Sequence, residues 1–310
     1  MSVDRIGTAA HANLMLTQIL KAESAVDTAN RQVVTGKVST TYSGYGDKTA
    51  LMEAARSAAA RSDANVGAAT QVSTRLDLQD AQLNQLSELV SQVRQTLTKS
   101  AADQDATALM SQMQGFYNQA VEILNAKDSN GYVYGGDNNQ VPPVTATDLN
   151  SLAALPSVAD AFVNGQVKTT VRIGESQTVE VGMLASDVGS QLLTLFQQVA
   201  QFDSGANGPF ATKTTPAQQA FLESSIQTVS NAAEGVNAAS AVNGIRYQMV
   251  QDTMTQLKAR SSVYSSFVSS IQDVDMPEAL SRLNQSNIAL QAAFQVTATL
   301  NRTSLLDYLK

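Results

Sequence analysis

Residues 222–271 read LESSIQTVSNAAEGVNAASAVNGIRYQMVQDTMTQLKARSSVYSSFVSSI, and their spacing decides the fold. Steps of four and three residues, alternating from Leu222, pick out Ile226, Val229, Ala233, Val236, Ser240, Asn243, Tyr247, Val250, Met254, Leu257, Ser261, Tyr264, Val268 and Ile271. Twelve of these fifteen positions are apolar. They fall on one stripe of a long helix, which is the seam of a coiled-coil-like bundle. The same step runs from Leu51 through Ala55, Ala58, Ser62, Asn65, Ala69, Val72, Leu76, Gln79, Leu83, Leu86, Val90 and Val93 to Leu97. A third seam lies near the N-terminus at Ala12, Met15, Ile19, Ala22, Val26, Ala29 and Val33. A chain that devotes this much length to seams packs helices side by side, which points to assembly ahead of chemistry.

Punctuation around the seams sets the remaining elements. The first helix is expected from about Asp4 to Val34, stopped by Thr35-Gly36-Lys37 and the turn formers Ser43-Gly44-Tyr45-Gly46-Asp47. Asp47 is the expected cap of a second helix reaching about Lys99. A shorter helix follows, with Leu109, Met113, Phe116, Ala120 and Ile123 on one face. From Ser129 to Ser204 the texture changes to Asn-Gly, Gly-Gly and Pro-Pro turns. There Val167–Ile173 and Gln177–Val181, joined by Gly174-Glu-Ser, read as an exposed β-hairpin, and Val188–Phe202 reads as helix. Thr215-Pro216-Ala217-Gln218 has the residues of a capping box, with Pro at the first helical position. Asp275-Met276-Pro277-Glu278 starts a last helix carrying Leu280, Leu283, Leu290 and Phe294.

Composition narrows the function. The 310 residues carry a formal charge of -7, which disfavours a nucleic-acid partner because phosphate contacts need a basic face. With no Cys there are no disulfides or thiolate metal sites. No apolar run nears the ~20 residues needed to span a bilayer, so membrane insertion is not expected. Met1–Leu20 carries Asp4, Arg5 and His11 and lacks an apolar core segment, so a cleaved signal peptide is not expected either.

Candidate chemistry is thin. His11, the single histidine, has no Cys or Ser/Asp constellation beside it. Gly44-Tyr-Gly46-Asp-Lys48-Thr49 has the wrong glycine spacing for a phosphate loop, and Asp47 would repel the phosphate. In Asp128-Ser-Asn130-Gly131 the glycine comes too early for a calcium loop. Met15, Met113 and Met254 sit on seams as core filler. No nucleophile, base and orienting group come together, so neither an enzyme nor a cofactor is expected.

Several motifs resemble the flagellin superfamily. Arg5-Ile6 is similar to its opening, and Gln32-Val-Val-Thr35-Gly36-Lys37 to its first helix end. Asn130-Gly131-Tyr-Val-Tyr-Gly-Gly136 is similar to the turn after the N-terminal rods. Asp273–Leu280 and Leu290-Gln-Ala-Ala-Phe294 resemble the entry and middle of the last helix. The tail Ser304-Leu305-Leu306-Asp307-Tyr308-Leu309 resembles that of the hook–filament junction subfamily, the hook-associated protein 3 group. One departure is Gly46-Asp47-Lys48, where the family commonly has Asp-Asp-Pro or Asp-Asp-Ala.

The resemblance implies an extracellular flagellar subunit, exported unfolded without a cleaved signal peptide. Its implied partners are other copies of itself, flagellin, hook-associated protein 1 and a flagellar export chaperone. The expected fold is mainly α: an elongated antiparallel bundle of coiled-coil rods built from both chain ends, with a small mixed α/β insertion containing the hairpin. The expected division is terminal assembly helices at 1–45 and 276–310, rods at 46–136 and 205–275, and an outward insertion at 137–204. Function is expected in the terminal seams. Ala12, Met15, Ile19, Ala22, Val26 and Val33 would face Leu280, Leu283, Leu290 and Phe294, with Leu305 and Tyr308 in the tail, and neighbouring subunits would finish the packing. Filament flagellin and a flagellin-like surface binding protein using the insertion are the alternatives.

Overall fold

All fifteen positions of the opening seam are buried or half-buried, with Leu222, Val229, Val236, Asn243 and Val250 at 1 % exposure or less. They line α6 (Pro216–Gln272). The partner seam lines α2 (Thr49–Asp103), where Leu76, Val93 and Leu97 are fully buried. One position at its start differs from the sequence reading: Leu51 is 55 % exposed and Met52 takes the buried place. The computed structural model describes residues 2–308, with side chains described for 13–299.

The chain divides into two compact units, 1–61 with 259–310, and 62–258. In the second unit α3 (Leu109–Leu124) buries Leu109, Met113, Tyr117, Ala120 and Leu124 on one face. It leads into a short antiparallel hairpin, β1 (Lys127–Asp128) and β2 (Gly131–Tyr132). Gly131 turns there at φ 121°, a conformation open mainly to glycine. Asp128, in the segment with calcium-loop fragments, instead pairs with Arg75 at 3.3 Å, and both side chains are largely buried.

The insertion is part of this unit's core. Leu149 and Leu152 of α4 (Leu149–Ala153) and Leu192, Leu193, Leu195 and Phe196 of α5 (Ala185–Ser204) join the cluster that holds α3 and α6. The hairpin β3 (Thr170–Arg172) and β4 (Thr178–Glu180) pairs Val171 with Val179. Its expected exposure is corrected: Ile173, Val179 and Val181 are buried in a second cluster with Ala69, Val72, Leu76 and Val250. The alternation that makes it a strand pair also gives it one apolar face, and α2 and α6 cover that face. Gln79 Nε2 donates to Val181 O at 2.8 Å, and Arg246 pairs with Glu180.

The helix starts follow their capping residues. Thr215 N–H donates to Gln218 Oε1 at 3.1 Å, and Gln218 N–H donates to Thr215 Oγ1 at 3.2 Å. Asp275 Oδ1 accepts from Glu278 N–H at 3.1 Å, opening α7 (Met276–Tyr308). Asp47 is not a helix-opening cap: it lies inside a 3-10 segment, Tyr42–Lys48, that runs directly into α2.

Candidate assembly interface

The first unit is built on α1 (Ser2–Thr35) and α7, which pack along each other. On α1, Met15, Ile19, Ala22, Val26 and Val33 are half-buried, and Ala29 is 5 % exposed. On α7 the seam runs through Ala279, Leu283, Ser286, Leu290, Ala293 and Thr297, each buried or half-buried. Leu283 and Leu290 lie on this seam, whereas Leu280 and Phe294 are 46 % and 49 % exposed and lie off it. Small residues occupy half of the seam, so apolar size is a weak guide to it, and the four-three step from Ala279 finds it. The side chains of His11, Ala12, Leu305 and Tyr308 lie outside the described residues.

This unit buries little and exposes much. Among the described residues its fully buried hydrophobics are Ala29, Met52, Ala55 and Ala279. Yet it carries fourteen of the twenty exposed large hydrophobics, including Leu14, Leu16, Leu20, Val34, Phe267, Ile288 and Val296. Scattered apolar residues on a surface are ordinary, but nine of these fourteen lie on α1 and α7, a density of the kind found at interaction patches. Full burial of such a side chain contributes roughly 1.5–3 kcal/mol, so an uncovered set forgoes a large stabilisation.

A groove beside the pair is lined by Lys21, Ala22, Ser24, Ala25, Thr28, Ala29 and Gln32 of α1 and by Arg282, Gln285, Ser286 and Ala289 of α7. Small side chains there leave the two backbones accessible to a further helix. Lys21 and Arg282 bring charge to it; Arg282 pairs with Glu278 at 2.7 Å and Arg31 with Asp27 at 4.0 Å, surface pairs of the kind that contributes ~0–1 kcal/mol. Among the described residues no group of His, Asp and Glu is arranged to hold a metal ion, and no helix is long and apolar enough to cross a membrane. Among the described residues the pKa shifts lie in the second unit. Burial raises Tyr134, and burial with the nearby Asp148 carboxylate raises Tyr117 to about 12. Both are core tyrosines.

Residues 226–309, which span most of α6 and α7, match the family model of the bacterial flagellin C-terminal helical region. The fold is that of flagellar hook-associated proteins. A putative flagellar hook-associated protein from Vibrio parahaemolyticus superposes with a TM-score of 0.61 at 13 % identity, over 75 % of this chain and 99 % of that one. FlgL from Xanthomonas campestris superposes with a TM-score of 0.54 at 13 % identity, over 70 % of this chain and 99 % of that one. No curated protein sequence matches significantly.

Proposed function

We infer that the chain is a structural subunit of the extracellular bacterial flagellum, acting as a junction piece between hook and filament. The carrying observation is the contrast within the first unit: four fully buried hydrophobics, three of them alanines, against fourteen exposed large ones among the described residues. Ordering backbone costs ~1–2 kcal/mol per residue, and half-buried seams of small residues offset little of that. The terminal pair therefore completes its packing when neighbouring subunits cover Leu280, Phe294 and the outer face of α1. Folding of the ends is coupled to assembly.

The partners on this reading are other copies of the chain, packed heterologously as a ring or helical lattice requires. Above and below them lie flagellin and hook-associated protein 1, and an export chaperone accompanies the unfolded chain. The fold shared with FlgL and the tail Ser304–Leu309 support the junction role over a repeating filament role. The flagellin C-terminal match keeps filament flagellin as the second reading.

Immunolabelling of intact flagellated cells separates the two. Label confined to the hook–filament boundary supports the junction role, and label along the whole shaft makes the chain a filament subunit. The double substitution Leu283→Asp with Leu290→Asp breaks the α1–α7 seam and should abolish incorporation while leaving the second unit folded. Unimpaired motility in that strain would refute the terminal-seam mechanism.

A further inference from the structure

We propose that a backbone clip at the root of the terminal pair sets the register in which α1 lies on α7, a task the seam cannot perform. The clip joins the links that leave the two helices. Val274 N–H donates to Gly36 O at 2.9 Å, and Val38 N–H donates to Gln272 O at 2.8 Å, with Lys37 and Asp273 facing each other in an antiparallel bridge. Two side chains brace it. Gln32 Nε2 donates to Val38 O at 2.9 Å, and Arg56 Nη2 donates to Gln272 Oε1 at 2.6 Å. Gly36 turns the chain out of α1 at φ 68° to reach this arrangement.

The seam is periodic, and that is its weakness. Both helices repeat their contact positions every seven residues, so a slide of one heptad, about 10.5 Å, lays seam on seam again. What distinguishes one register from another is the burial of particular side chains. Among the described residues of α1 and α7 the buried hydrophobics are Ala29 and Ala279, both small and both within two turns of the clip. Farther out, the described seam residues are half-buried and include Ser286 and Thr297. Shifted registers are therefore close in energy as far as side chains are concerned. The clip has no shifted alternative, because its two donors meet their acceptors only where 38 lies against 272 and 274 against 36. Order in the pair starts at the clip and weakens away from it through 13–22 of α1 and 290–297 of α7.

This inference concerns a single chain and goes beyond the assembly reading without requiring it. If both hold, the clip ensures that every copy presents the same outer face to its neighbours.

The chain contains no cysteine, so paired substitutions in the full chain report register without background. Ala25 and Ser286 line one groove between α1 and α7. Ala25→Cys with Ser286→Cys traps the observed register, and Gln18→Cys with Ser286→Cys traps the pair displaced by one heptad. Under mild oxidation the first pair should close at least about tenfold faster, as expected if two hydrogen bonds favour one register. Val274→Pro and Val38→Pro each delete one clip donor and should bring the two rates together. A preference that survives both proline variants would overturn the proposal, as would equal rates in the chain without them. Hydrogen exchange on the unsubstituted chain guards against proline damage to α6 or α7. The Val38 and Val274 amides should exchange more slowly than those of 13–22 and 290–297; faster exchange at the clip also sinks the idea.

Discussion

Leu280 and Phe294 show what a single residue type conceals. Both are large and apolar and both lie on a helix, yet neither fills the seam between α1 and α7. Leu280→Asp with Phe294→Asp should leave the thermal unfolding of the isolated chain within about 0.5 kcal/mol of the parent, since exposed substitutions rarely do more. The same variant should fail to incorporate into flagella, whereas normal incorporation would remove these two residues from the interface. Tyr117 is the opposite case, a fully buried hydroxyl donating to Ala146 O at 2.7 Å. Tyr117→Phe strands that carbonyl and should cost on the order of 1 kcal/mol in urea unfolding. Because its folded pKa of about 12 lies above the unfolded value, Tyr117 contributes stability that is present below pH ~10 and lost as pH rises toward 12. Ultraviolet titration should find it ionising with alkaline unfolding, not before.

At the scale of elements, the long helices carry the clearest code. Their four-three steps predict burial at position after position, from Leu222 to Ile271 and from Ala55 to Leu97. Leu76→Ala, at the centre of the α2 seam where the β3–β4 hairpin also packs, should cost about 2–5 kcal/mol. The close approach of α5 to α3 rests on Gly189, where an added Cβ would meet Leu124 Cδ1 at 2.6 Å. Gly189→Ala should destabilise the chain by roughly 1–3 kcal/mol through overpacking, unless Leu124 changes rotamer. Thermal denaturation of the purified variant decides this. Shorter elements were harder to read. The β1–β2 hairpin spans two residues a side, and α4 spans five, too few for either period to register. Their positions depend on non-local bonds such as that from Leu149 N–H of α4 to Gln114 Oε1 of α3 at 3.2 Å.

For the whole molecule, the two units differ in what they bury, and their stabilities should differ accordingly. The second contains one large core and a second cluster under the hairpin, whereas the first has four buried hydrophobics among its described residues. Limited proteolysis of the isolated chain should therefore cut within 1–61 and 259–310 first and leave one resistant fragment spanning 62–258. Equal resistance throughout would mean that the ends are complete without neighbours.

By itself the sequence determined that this is a helical protein built on long seams, where those helices begin, and that its ends resemble flagellin. Those features are local or periodic: Thr215 and Gln218 cap across three residues, and a seam announces itself every seven. Only the tertiary structure decided which side of each short segment is covered. The hairpin read as exposed proved half-buried, because α2 and α6 offered Leu76 and Val250 to its inner face. It also decided that Ala279, rather than Leu280, lies on the α7 seam. A heptad repeat states how often a helix meets its partner, and the depth of each meeting depends on how closely two backbones approach, which no single helix encodes.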